Sequence, residues 1–277
     1  MFVKQLERLL QYSIILTMAT VIIMAGGNGK RMNSDLPKVL HHVEGVPMIV
    51  RIVREAHRFG SPRILVVVGK GRDAIETVIQ ESCESAIVNK ITYVFQSVPK
   101  GTGHAIMCCL PHLHMNERVL ILSGDVPYIK AETMALMTRG AAGSLGTFNK
   151  IRVMTMRMED PTGYGRVIEV AESNNVRIVE HRDCTCASTE LEEKRVNCGI
   201  YFTTGRILMM RLPFLSNANA QSEYYLPDII KGSNDDIYIE LCEVPESDKY
   251  QVMGVNTEME LAQLVKSANT QDDDTPF

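Results

Sequence analysis

Four short apolar runs constrain this chain more than any other feature. "TVIIM" (20–24), "RILVVV" (63–68), "ITYVF" (91–95) and "RVLIL" (118–122) are rich in β-branched residues and lack a polar face. A strand with one face in water alternates apolar and polar residues, whereas a strand apolar throughout must be covered on both sides. The segments between them carry helical spacing. "PMIVRIVREAHRFG" repeats apolar residues at three- and four-residue intervals and closes on Gly60, and "GRDAIETVIQES", "GTGHAIMCCLPHL" and "AETMALMTRGA" follow the other three runs. Strands joined by helices imply an α/β fold with a mainly parallel sheet and helices on both faces. Ligands of such sheets sit outside the carboxyl ends of the strands. That rim collects the loop after Met24, Gln96, and the run Ser123-Gly124-Asp125.

The length of 277 residues, 45% of them hydrophobic, suffices for one large domain or two small ones. A net charge of -4 supplies no overall basic field, so no nucleic-acid partner is expected and anion binding must come from a local cluster. The seven cysteines are odd in number and lack zinc-ribbon spacing, which fits reduced thiols in a cytoplasmic protein. Residues 1–17 hold an apolar stretch that Glu7, Arg8 and Gln11 interrupt, with no small-x-small cleavage site after it and too little length to span a bilayer. They are expected to be an N-terminal extension, either an added amphipathic helix or residues upstream of a start near Met18, with no membrane partner.

Past residue 150 the helices thin out. "IRVMTMRMED", "GRVIEVAES", "VRIVEHRD" and "VNCGIYFTT" read as a mixed sheet. No Pro/Gly/Ser-rich linker divides the halves, so residues 18–265 form one domain. Its first part, 18–150, carries the rim, and 151–265 pack over that rim as a lobe. Residues 266–277 end in the acidic "NTQDDDTPF" and are expected to be disordered. No hexapeptide period is present, so a left-handed β-helix is not expected.

The loop after the first strand reads "MAGGNGKRMNSDLPKVL". It is not a Walker loop, because Met24 stands where the first glycine belongs and Arg31 where a Ser or Thr would hold magnesium. It is not the dinucleotide fingerprint either, because Met32 takes the place of the third glycine. Two readings stand. Its glycines let backbone N–H groups approach an anion beside Lys30, Arg31 and Lys38, or the loop is a tight turn with solvated cations.

The same segment resembles the signature loop of the sugar-nucleotide pyrophosphorylases, which join a nucleoside triphosphate to a sugar 1-phosphate. "FQSVPKGTGHA", "ILSGDVPYI", "DPTGYGRVIE" with "VEHRD", and "VNCGIYF" through "GVNTEMEL" agree with that family in order. Over about residues 20–265 the chain is similar to the uridylyltransferase half of its bacterial bifunctional N-acetylglucosamine-1-phosphate members. Three departures stand out: Gly26 where alanine is usual, Lys30 where threonine is usual, and Pro227 in "EYYLPDII" where the family carries threonine near the sugar.

The resemblance implies a Rossmann-like nucleotidyltransferase fold and transfer of uridylyl from UTP to N-acetylglucosamine 1-phosphate, assisted by Mg²⁺, without acetyltransferase activity. A different nucleotide or sugar, or a non-catalytic sugar-nucleotide sensor, are the alternatives. Such a reaction brings two polyanions together, so cations matter more than a nucleophilic side chain. The family's pattern assigns Arg31 and Lys38 to the phosphates, and Ala25, Gly26, Gly27, Gly29, Gln96, Gly101 and Thr102 to the nucleotide. It assigns Gly165, Glu180 and Asn197 to the sugar, and Asp125 with Asn256 to the metal. Thr257 and Glu260 form a capping box that leaves the Asn256 side chain available. Glu180 has a plainer alternative, pairing with Arg182. His104 reads as structural, at the start of a helix. Because the family's trimers rest on its β-helix, a monomer or weak homodimer is expected.

Overall fold

The computed structural model describes residues 18–27, 32, 34, 36–139, 149–169, 176–184, 189–231 and 237–272. Nine strands form its main sheet: β1 (Thr20–Met24), β2 (Ile64–Val68), β3 (Ile91–Phe95), β4 (Arg118–Ser123), β5 (Lys150–Arg157), β6 (Arg166–Glu169), β7 (Val176–Val179), β8 (Arg195–Thr204) and β9 (Tyr238–Glu243). The order along the sheet is β9-β5-β8-β4-β1-β2-β3, with β6 pairing β8 and β7 at one side. β1 lies parallel to β2 and to β4, matching Ile22 with Leu65 on one side and with Ile121 on the other.

The apolar runs are double-sided, as their composition requires. Val21 and Ile23 enter one core with Val66, Leu120 and Leu122, while Ile22 enters the opposite core with Leu65, Val67 and Ile121. Helix α1 (Met48–Arg58) covers the first of these faces with Ile49, Val50, Ile52, Val53 and Ala56. It stops at Gly60, whose φ of 88° is cheap only for glycine. Helices α2 (Arg72–Ser82), α3 (Thr102–Met107) and α4 (Ala131–Thr138) follow β2, β3 and β4 as the spacing predicts.

Two expectations need correction. The second half is less of a lobe than its texture suggests, because β5, β8 and β9 extend the sheet of the first half. The ten-residue β8 bridges them, its early residues pairing with β5 and β6 and its last four running antiparallel to β4. Only the β6–β7 hairpin stands off that path. The second concerns the tail. After helix α5 (Gly205–Arg211), helix α6 runs Glu258–Asp272, so residues 266–272 are helical rather than disordered. Leu264 and Ala268, one turn apart, are buried against Val43, Met48, Tyr128, Tyr250 and Val255, and that docking carries the helix into its polar end. Residues 1–17 and 273–277 lie outside the described residues. Among the described residues, no helix is long and apolar enough to cross a membrane.

Candidate active site

β1 is the switch point of the sheet, since its neighbours β2 and β4 connect in opposite directions along the order. A crevice therefore opens beyond the carboxyl ends of β1 and β4. Asp125 follows β4 through Gly124, whose N–H donates to the Met24 carbonyl at 3.0 Å. A Cβ on Gly124 would stand 2.5 Å from that oxygen, so glycine is required for the two strand ends to close up. The Asp125 carbonyl accepts from Val255 N–H at 2.9 Å, which brings Asn256 to the same place.

There the Lys38 ammonium donates to Asp125 Oδ2 and, at 2.9 Å, to Asn256 Oδ1. Asp125 Oδ1 accepts from the Ser123 hydroxyl at 2.6 Å. Burial alone would push the Asp125 carboxyl up, but the charge and hydrogen bond of Lys38, with the Ser123 and backbone bonds, hold it below the usual carboxylate range. The capping box expected at Thr257 and Glu260 is present. Glu260 N–H donates to Thr257 Oγ1 at 3.1 Å, and the Glu260 carboxylate accepts from Asn256 N–H at 2.6 Å, so Thr257 and Glu260 cap the helix start.

Thr102, Asp125, Gly165, Glu180, Asn197 and Asn256 line one cavity of about 310 Å³. Lys38 joins it through Asp125. Ala25, Gly26 and Gly27 continue from β1, with Ala25 N–H donating to the Val67 carbonyl at 2.8 Å. Gln96 meets this stretch from β3, its carbonyl oxygen 2.9 Å from where a Cβ on Gly26 would stand. Its amide nitrogen donates to the Gly101 carbonyl at 3.3 Å and lies 3.0 Å from His104 Nδ1. Burial, with Lys100 nearby, lowers the His104 pKa, which favours the neutral ring able to accept that bond. Gly101 and Gly103 are packing glycines as well. A Cβ on either would strike Tyr224, whose carbonyl accepts from Gly103 N–H at 2.7 Å. Thr102 Oγ1 accepts from Leu226 N–H at 3.0 Å. The motif therefore fastens the rim to the segment carrying Pro227, itself part of the cavity wall. Gly29 and Arg31 lie outside the described residues.

Comparison with known proteins gives this geometry its family. Residues 21–152 match the model of the MobA-like NTP transferase domain. A probable UDP-N-acetylglucosamine pyrophosphorylase of Acanthamoeba polyphaga mimivirus is 38% identical over 245 residues, covering 87% of this chain and 92% of that protein. The chain belongs to the UDP-N-acetylglucosamine pyrophosphorylase family of nucleotidyltransferases. The bifunctional protein GlmU of Chromobacterium violaceum is 37% identical over 246 residues, covering 88% of this chain and 50% of that protein. The chain thus spans about half the length of the bifunctional relatives it matches. A putative glucose-1-phosphate thymidylyltransferase from Bacillus anthracis, at 19% identity, shares the fold with a TM-score of 0.64 over 94% of this chain and 97% of that one.

The wall of the cavity that carries Gly165 and Asn197 is built by a bulge. The register of β8 against β5 shifts between Asn197 and Tyr201, with Gly199 at a φ of 71°. The Asn197 side-chain carbonyl accepts from Gly199 N–H at 3.0 Å, and its backbone N–H donates to the Gly165 carbonyl at 2.9 Å. A Cβ on Gly165 would lie 3.2 Å from Glu180 Oε1, so glycine keeps that approach open. Glu180 does not pair with Arg182 among the described ion pairs. Burial raises its carboxyl pKa to about 7, helped by the charges of Asp183, Asp228 and Glu223. Glu180 also borders a cavity of about 900 Å³ that none of the other expected residues lines.

Two site residues escape a sequence reading, and a third, Ser123, is placed on the rim by the sequence without a role. Tyr164, in "DPTGYGR", accepts from Gly254 N–H at 3.3 Å beside Asp125, and burial pushes its pKa up. Ser123 orients Asp125. Arg166 is buried and donates to the Pro161 and Tyr164 carbonyls, shaping the loop before it. The only sequence signal for Tyr164 and Arg166 is their place in a long motif, and for Ser123 its place next to the Gly-Asp pair.

Among the described residues no three His, Cys, Asp or Glu side chains converge as a metal cluster. A metal here would therefore rest on few protein atoms. The donor set nonetheless suits a hard cation: Asp125 Oδ2 and Asn256 Oδ1 already converge on one positive group, the Lys38 ammonium.

Proposed function

We propose that this chain transfers uridylyl from UTP to N-acetylglucosamine 1-phosphate, forming UDP-N-acetylglucosamine and pyrophosphate, with Mg²⁺ as cofactor. The observation that carries the reading is the convergence of Lys38, Asp125 and Asn256 on the crevice at the β1/β4 switch point, beside a cavity edged by Gly165, Glu180 and Asn197. The likeness to the mimivirus pyrophosphorylase over nearly its whole length supports the choice of nucleotide and sugar.

A phosphate oxygen of the sugar phosphate attacks the α-phosphorus of UTP, and pyrophosphate leaves. The attacking oxygen is already anionic, so the protein's work is positioning and charge neutralisation. Lys38 places a point charge at the α-phosphate, and Arg31 forks onto the remaining phosphates. Ala25, Gly26, Gly27 and Gly29 bring backbone N–H groups close to the triphosphate. Gln96 offers its carbonyl oxygen to uracil N3–H, with the backbone of Gly101 and Thr102 beside it. Gly165, Glu180 and Asn197 hold the sugar's polar groups. Asp125 and Asn256 would hold Mg²⁺, which when bound supplies neutralisation of the charge developing on the phosphates. The reading for these residues is the transfer alone, carried by a monomer or weak homodimer in the cytoplasm.

A pyrophosphate-release assay with UTP, other nucleoside triphosphates and several sugar 1-phosphates tests the reading. Turnover should be fastest with UTP and N-acetylglucosamine 1-phosphate, and Asp125→Ala should lower it by at least about 100-fold while the fold persists. Preference for another pair would replace the assigned substrates. A near wild-type rate for Asp125→Ala would remove the metal site.

A further inference from the structure

The bond between Lys38 and both proposed metal ligands has a consequence for how the site fills. We propose that Lys38 is a resident cation that keeps the Asp125–Asn256 pair closed to divalent ions until a nucleotide phosphate draws its ammonium away. This rests on the metal reading above.

The backbones that carry these two oxygens are anchored. Asp125 is tied through its carbonyl to Val255 N–H, and Gly124 through its N–H to the Met24 carbonyl. Asn256 donates its own N–H to Glu260 in the cap of α6. The Lys38 backbone is fixed as well. It opens a single turn, Lys38–Leu40, whose Val39 and Leu40 are buried, and the preceding Pro37 packs on Gly71, where a Cβ would stand 2.4 Å from the proline ring. The four-carbon stem of Lys38 extends from that anchored backbone and carries a compact charge that exchanges partners readily. A magnesium ion needs oxygen contacts of about 2.0–2.1 Å. An ammonium bonded to the same two oxygens occupies that position and repels a second cation. The phosphates of a nucleotide offer Lys38 another anionic partner in the same crevice. The divalent ion then enters with the nucleotide, because in the substrate-free protein Asp125 is already paired with Lys38.

Mn²⁺ alone, titrated into the full chain without nucleotide and followed by the loss of the free-ion electron paramagnetic resonance signal, tests this. Lys38→Met should bind Mn²⁺ at least about tenfold more tightly than wild type. Lys38→Arg, which retains a cation, should stay close to wild type, and Asp125→Ala placed on Lys38→Met should abolish the gain. Equal or weaker binding by Lys38→Met, or equal gains in Lys38→Met and Lys38→Arg, would overturn the proposal while leaving the metal reading intact. A gain that survives Asp125→Ala would place the ion elsewhere and overturn both.

Discussion

Asp125 and Glu180 line the same cavity and are driven in opposite directions. Burial penalises the charged form of each. At Asp125 the nearby Lys38 ammonium and the Ser123 hydroxyl outweigh it, and the carboxyl stays ionised. At Glu180 the neighbours are Asp183, Asp228 and Glu223, so burial and repulsion act together and the pKa rises from 4.5 to about 7. The sign of the stability effect follows. Between these two values the folded state binds more protons than the unfolded state, so Glu180 costs stability as pH rises from about 4.5 to about 7. Glu180→Gln keeps the shape and removes the charge. Its thermal midpoint should match wild type near pH 5 and exceed it near pH 8 when scanned against pH. A difference that stayed constant across that range would mean that Glu180 is not held in this environment.

At the scale of elements, the site depends on loops fastened to one another rather than on any single helix or strand. The Gly101–Gly103 stretch is pressed against Tyr224, and Thr102 accepts from Leu226, so this rim is fastened to the Pro227 segment. Helix α6 fastens the other side, its cap holding Asn256 and its buried Leu264 holding the helix to Tyr128 and Tyr250. Leu264→Ala should cost about 2–5 kcal/mol in urea unfolding, and a loss well below that would mean the helix is not docked by this face. The sequence carried the strands and the capped helix start because each is encoded locally, by an apolar run or by the Thr257–Glu260 spacing. It could not carry the end of α6, since a polar "NTQD" becomes helical only through the turns docked before it. Nor could it show that the Gln96 amide nitrogen is taken up by Gly101 and His104, a contact that exists only once β3 and α3 are in place.

Across the whole molecule, the sheet order converts four apolar runs into one crevice. β1 sits between β2 and β4 because buried parallel strands need helices on both faces, and that same arrangement points the ends of β1 and β4 at shared space. The antiparallel β8 then runs beside β4 and delivers Asn197 and its bulge to the same rim. Residues more than two hundred positions apart, Lys38 and Asn256, meet there. The decisive measurement is a crystal structure of the protein with UDP-N-acetylglucosamine and Mn²⁺. An anomalous peak for the ion between Asp125 and Asn256, with Lys38 turned to a phosphate, uracil at Gln96 and the sugar between Gly165, Glu180 and Asn197, is the result expected. The nucleotide sugar lodged in the larger cavity beyond Glu180, with Lys38 still on Asp125 and the ion elsewhere, would contradict the account.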